Sequence, residues 1–227
     1  PGNRWEYGTN TDWLGILIEQ RSGDRLGDYF EKNIFEPLGM KDTHFELPED
    51  KLDRSVTMMA RTQDQLIVSS FGQPNAQDRH SMPFYSGGGG LYSTVEDYGR
   101  VLQMLLSAGT ANSSQVLAAK TVDTMFHNHI GELRPKALVT QVPEVSSDAD
   151  LAFGASATFG LGLLIHPEGL PSRRRANTGS WAGLFNTYYW VDRESDLYGI
   201  FGTQILPFYD AATISALAGF EQAVYSD

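Results

Sequence analysis

The residues best placed for chemistry open the chain. Tyr7 stands in a polar, turn-forming run, Pro1-Gly2-Asn3-Arg4-Trp5-Glu6-Tyr7-Gly8-Thr9-Asn10, that leads into an apolar-periodic segment from Thr11. A phenol at a helix entrance suits proton transfer if neighbouring donors lower its pKa, and otherwise it packs. Both readings stand at this point. Other nucleophile patterns fail. Ser180 lacks the Gly-x-Ser-x-Gly elbow, because position 178 is Thr. A Ser-x-x-Lys pair is absent: three residues before Lys32, Lys41, Lys51, Lys120 and Lys136 stand Tyr29, Leu38, Pro48, Leu117 and Leu133. There is no cysteine, which excludes thiol catalysis, disulfides and thiolate metal sites and leaves the compartment open. His127 and His129 would diverge by about 200° on a helix, and no carboxylate stands at metalloprotease spacing, so no metal site is expected. His44, His80 and His166 are isolated and read as surface or capping residues.

The elements that must position Tyr7 follow from periodicity. Trp13, Leu14, Leu17 and Ile18 fall at helical spacing over Thr11 to Gln20, with Gly23 as the stop. A second helix is expected from Leu26 to Phe35, ended by Pro37 and Gly39. Residues 41–85 read as a long irregular excursion. In Ser86 to Thr94 four glycines permit close backbone approach, but no Gly-Lys-Ser/Thr follows, so this is not a phosphate loop. Thr94 caps a helix over Val95 to Ser107, closed by Gly109, and a short helix is expected over Ala118 to His127. Composition changes after a polar run at Ser146 to Asp150, so residues 1–150 are expected to form a mainly helical lobe and 151–227 part of a sheet lobe. Strands are expected at Phe159 to His166, at Ala176 to Gly179 leading into Leu184 to Val191, and at Tyr198 to Gln204, with a closing helix over Ala211 to Tyr225. The fold class is therefore α+β.

The chain is acidic, with a net charge of -11 over 227 residues, which disfavours nucleic acid and anionic lipid as partners. Arg173-Arg174-Arg175, its only basic cluster, reads as a solvated loop. No apolar run reaches the ~18 residues of a membrane span.

Taken together the motifs resemble the serine β-lactamase-like superfamily, nearest to the family VIII carboxylesterases and related transesterases, cousins of the class C β-lactamases. The likeness rests on Pro1-Gly2…Trp5-x-Tyr7, Leu14-Gly15…Ser22-Gly23, Ile34 to Thr43, Gly87 to Thr94 with Asp97-Tyr98, Phe159 to Gly162, and Gly179 to Asp192. It implies a β-lactamase/transpeptidase-like fold, a helical lobe plus an antiparallel sheet flanked by helices. It also implies a Ser-x-x-Lys nucleophile, a tyrosine matching Tyr7, and a Lys-Thr-Gly-like strand element matching Trp181-Ala182-Gly183, with Asn177-Thr178-Gly179 as a competing alignment. The Leu184 N–H would then serve as an oxyanion donor, and no metal or organic cofactor is implied. The nucleophile and its lysine are expected upstream of Pro1, in an N-terminal segment of the same protein. Without it the chain is expected to expose a raw sheet face and edge and not to be stable alone.

Two departures bear on substrate. Thr9 replaces the family's asparagine, with Asn10 one residue late, and Trp181 replaces the strand lysine, exchanging a cation for an apolar wall. Both favour a neutral small-molecule ester or acyl substrate over a penicillin. Thr9, Asn10 and Tyr85 are the expected substrate-binding residues; Trp5, Phe84, Tyr85, Phe208 and Tyr209 either extend an apolar acyl pocket or pack in the core and rim. The rival readings are a β-lactamase, peptidase or amidase of the same superfamily, and a non-catalytic binding homologue or inert fragment.

Overall fold

The computed structural model describes residues 2–63, 65–112 and 114–226; Pro1, part of the first motif, lies outside them. Helix α1 (Asn10–Ser22) ends on Gly23 in the left-handed region (φ 80°). Helix α2 (Leu26–Phe30) runs through a π-helical turn (Glu31–Phe35) into α3 (Glu36–Leu38), and Gly39 at φ 71° ends it. Pro37 therefore sits inside the last turn rather than stopping the helix. Pro37 has no N–H to return to the preceding turn, and the helix directly before it is in the wider π form.

The stretch expected to be irregular holds a 3₁₀ turn (Glu49–Arg54) and a hairpin of β1 (Met59–Thr62) and β2 (Gln65–Val68). Strand β1 also pairs in parallel with β10 (Ile205–Leu206), which ties this excursion to the far end of the chain. Helix α4 (Val95–Leu106) begins where the Thr94 hydroxyl accepts the Asp97 N–H at 3.0 Å. Asp97 itself is buried and accepts the Asp42 N–H at 2.7 Å and the Thr43 hydroxyl at 3.0 Å, a tertiary use that suits Asp at a place where Glu is commoner. A small β3–β4 ladder (Thr110–Ala111, Ser114–Gln115) and helix α5 (Ala119–Met125) follow.

The main sheet is five-stranded and antiparallel in the order β5-β6-β7-β8-β9. The expected strand Phe159 to His166 is two strands, β5 (Thr158–Phe159) and β6 (Leu164–His166), reversed through Gly160 to Leu163. Likewise Ser180 to Gly183 belong to β7 (Thr178–Gly183), and β8 (Thr187–Asp192) starts only after a turn at Leu184 to Asn186. Strand β9 (Leu197–Phe201) completes the sheet. One core joins α3, α4 and α5 to the sheet through Leu38, Leu102, Val122, Ile165 and Val191. A second lies under α6 (Ala211–Val224), centred on Trp190 and Leu217.

Two polar expectations are corrected, and the apolar residues of α1 fall on an unexpected side. Arg174 is not solvated: it is buried and shares the fully buried Glu221 carboxylate of α6 with Arg173, whose Nε donates at 2.6 Å. A guanidinium left unpaired there would be costly, and the Glu221 carboxylate of α6 is its partner. His166 is not a surface residue either; it is fully buried in β6. Finally, Trp13, Leu14 and Leu17 of α1 face outward, between 56% and 65% exposed, and only Gly15 of that helix is buried.

His166 carries a pH signature. Burial, then the Arg174 charge, lowers its pKa to about 4, and neither ring nitrogen has a hydrogen-bond partner among the described residues. The Ala152 backbone and Asp150 favour the charged ring only weakly, so desolvation decides. The unfolded ring titrates near 6.5, so the unfolded state binds the proton first as pH falls. The stabilising contribution is complete above about pH 6.5 and is lost as pH falls towards about 4, by roughly 2–3 kcal/mol at pH 4.5. Urea unfolding of the complete protein at pH 7 and 4.5 should show wild type losing that much more stability than His166→Leu. Equal losses would contradict the assignment.

Candidate active site

The site begins with a row of aromatic rings. The segment entering α1 has no regular structure of its own, and its side chains are held by the sheet instead. Trp5 lies 5.4 Å from Phe159 at the end of β5. Phe159 meets Trp181 of β7 edge to face at 5.3 Å, and Trp181 meets Tyr7 at 5.4 Å with the planes 53° apart. Tilted and edge-on pairs match the ring quadrupoles, and each contributes about 0.5–1.5 kcal/mol beyond its buried area. The row leaves Tyr7 55% exposed.

The strand half is set by register. Trp181 stands opposite Tyr189, and Tyr189 packs against Tyr98 of α4 at 5.1 Å, so Trp181 shares the sheet face that α4 covers. Ala182 pairs with Tyr188 and Gly183 with Thr187. A Cβ on Gly183 would lie 2.5 Å from the Thr187 hydroxyl oxygen. Leu184 follows in the exposed turn. That turn is held by Asn186, which sequence reasoning passed over: it is fully buried, at φ 60°, with its side-chain amide hydrogen-bonded on both ends. A lone Asn between two β-forming runs is the signal that was present, since Asn tolerates the left-handed region better than most residues.

Beside Trp181 lies a shallow, open depression lined by Trp5, Leu138, Leu151, Leu164 and Trp181, with Lys136 and Asp150 contributing polar groups. Thr9 and Asn10 are exposed at the start of α1, where the Thr9 carbonyl accepts the Asp12 and Trp13 N–H groups at 3.2 and 3.3 Å. Tyr85 does not join this surface. It is 3% exposed, stacked on Phe45 at 4.7 Å, with Arg25 over its ring and its hydroxyl donating to Glu46 at 2.6 Å. Burial and the Glu46 carboxylate push its phenol up to about 12. It packs in the core with Leu26 and Phe45. Of the other aromatic candidates, Trp5 lines the depression, Phe84 is exposed, and Phe208 and Tyr209 pack beside Tyr188 and Phe153 in the core under α6. Asp192, fully buried, accepts the Tyr225 hydroxyl and the Arg175 N–H, and so joins the end of β8 to α6. Among the described residues there is no group of three or more His, Asp or Glu arranged to hold a metal ion, and no helix is long and apolar enough to cross a membrane.

A β-sheet carrying this strand end, packed against helices and paired with a tyrosine run, defines a recognisable class. The Beta-lactamase family model matches residues 1–221, and the chain belongs to that family. It is 31% identical over 235 residues to ML-236A carboxylate methylbutanoyltransferase mlcH of Penicillium citrinum, covering 100% of this chain and 54% of that protein. It is 29% identical over 219 residues to the lovastatin esterase of Penicillium rubens, covering 91% and 52%. The unliganded simvastatin synthase (LovD) of Aspergillus terreus superposes with a TM-score of 0.80 at 27% identity, covering 100% of this chain and 56% of that one. The fold is thus β-lactamase/transpeptidase-like, and its relatives include an esterase and acyltransferases. The chain spans about half the length of these relatives.

Trp181 is the common partner of Tyr7 and Phe159. Trp181→Ala in the complete protein is expected to free the tyrosine run, raising the rate of tryptic cleavage after Arg4 about fivefold, the equivalent of one aromatic pair of about 1 kcal/mol. Unchanged cleavage would show that the run is held by something else.

Proposed function

We propose that the complete protein transfers acyl groups through an acyl-serine intermediate, acting on small neutral esters with water or a second hydroxyl as acceptor. The observation that carries the reading is the meeting of Tyr7 with Trp181 at the exposed end of β7. A nucleophilic serine and its lysine are proposed to come from an upstream Ser-x-x-Lys segment. Relatives named as an esterase and as methylbutanoyltransferases support acyl transfer over purely binding roles.

In this reading the serine Oγ attacks the ester carbonyl while its proton passes to the lysine–tyrosine pair. The carbonyl oxygen becomes an oxyanion beyond the end of β7, where the Leu184 N–H is proposed as one donor; such donors each contribute ~3 kcal/mol. Collapse of the tetrahedral species breaks the bond to the alcohol, which leaves with a proton delivered through Tyr7. A water or acceptor hydroxyl then repeats the steps in reverse, with Tyr7 helping to remove its proton. Trp181 supplies an apolar wall beside the depression and no positive charge for a β-lactam carboxylate, which supports esters over penicillins.

Tyr7→Phe removes the proton carrier and little else. It is expected to lower kcat on short p-nitrophenyl esters by about 10²–10⁴-fold, the usual scale of acid–base catalysis, with KM nearly unchanged. Equal activity would remove Tyr7 from the mechanism. Turnover of D-amino-acid amides but not of esters would replace the esterase reading with a peptidase one.

A further inference from the structure

The glycine-rich run touches α1 more closely than any side chain allows. A Cβ on Gly87 would lie 2.1 Å from the Thr11 carbonyl oxygen, and a Cβ on Gly15 would lie 3.4 Å from the Gly87 backbone. Only glycine fits on the loop side of this contact. Asp12 closes over it. Its Oδ1 accepts the Ser86 hydroxyl and the Gly88 N–H, the latter at 3.2 Å, and Ser86 Oγ accepts the same N–H at 3.1 Å. The Ser86 hydroxyl and then the Gly88 N–H hold the Asp12 carboxyl below the usual range.

This anchor matters because α1 has few others. Gly15 is its one buried residue, and three of its large apolar side chains face outward. Asp12 and Trp13 donate their N–H groups to the Thr9 carbonyl, so the first turn of α1 is joined directly to the segment that carries Tyr7. Tyr7 is thus suspended between two supports, the Trp181 ring on one side and the first turn of α1 on the other.

We propose that Asp12 and Ser86, clasped over the Gly87–Thr11 contact, are positioning residues that set where the Tyr7 phenol stands above the end of β7. The role rests on the acyl-transfer reading for its catalytic consequence. The clasp acts through geometry: hydrogen bonds to a carboxylate are stronger than neutral ones, and a displacement of about 1 Å at a proton carrier can cost 10²-fold in rate. Neither residue is proposed to touch the reacting atoms.

The test uses the complete protein. Asp12→Ala and Ser86→Ala should each lower kcat on a short p-nitrophenyl ester by about 10–100-fold with KM within about twofold. The double variant should be no worse than the worse single one, because both remove one device. Asp12→Asn keeps an acceptor oxygen in place and should recover to within about threefold of wild type. A second readout does not depend on turnover: incorporated 3-fluorotyrosine gives a fluorine resonance for residue 7, assigned by its loss in Tyr7→Phe. That resonance should shift or broaden in Asp12→Ala and return in Asp12→Asn. A silent wild-type enzyme would sink the acyl-transfer reading, while the resonance would still decide on the clasp. An unmoved resonance, an undiminished kcat, or a rate loss tracked by an equal rise in KM would overturn it.

Discussion

The strand half of the site depends on one buried amide. Asn186 lies at the turn between β7 and β8 and donates from Nδ2 to the carbonyls of Ile205 and Pro207, both at 2.8 Å. Its Oδ1 accepts the Tyr188 hydroxyl at 2.8 Å, the Tyr209 N–H at 2.9 Å and the Asp210 N–H at 3.3 Å. Both polar atoms of that buried side chain are paired, and an unpaired one would cost about 1–3 kcal/mol. The bonds link the hairpin turn to β10 and to the cap of α6, so the end of β7 cannot shift without the closing helix shifting too. Gly183 and Leu184 owe their position to this.

The two halves are built in opposite ways. Gly179 and Ser180 of β7 are laddered on both sides, to β6 and to β8, while Trp181 to Gly183 pair with β8 alone, with a core beneath the sheet. The tyrosine run has no ladder. It is held by ring contacts to Trp181 and Phe159 and by a helix with a single buried residue. Those contacts leave the Tyr7 phenol 55% exposed. Tyr85 shows the other extreme: buried, bonded to Glu46, and with its proton held more tightly than in water. The two tyrosines differ in exposure and in partners, one on the surface beside Trp181 and one buried against Glu46.

Helix ends were the most legible part of the chain, because Thr94, Gly23 and Gly39 act on their immediate neighbours and need no tertiary partner. Turns hidden inside apolar runs were not. Gly160 to Leu163 and Leu184 to Asn186 reverse the chain within segments whose composition reads as continuous strand, and β1 finds its parallel partner only in β10. Charge was misread for the same reason: Arg174 looks solvated until Glu221 of α6 arrives beside it. For the site, Tyr7 was a candidate from its place at a helix entrance, but its partnership with Trp181 to Leu184 came from resemblance to a family, not from periodicity. Spacing alone contains nothing that joins positions so far apart in the chain. Asp12 and Ser86 were invisible until the Gly87 contact was known, since a close approach of two backbones leaves only a glycine in the sequence.

The central claim, a shared acyl-transfer site centred on Tyr7 and the end of β7, is tested most directly by finding the acylated residue. The complete protein would be quenched during turnover of a slowly deacylated ester and mapped by peptide mass spectrometry. The expected result is one acyl group on a serine three residues before a lysine, outside these 227 residues, accumulating more slowly in Tyr7→Phe. An acyl group on a serine within them, or no covalent species while ester is consumed, would contradict it.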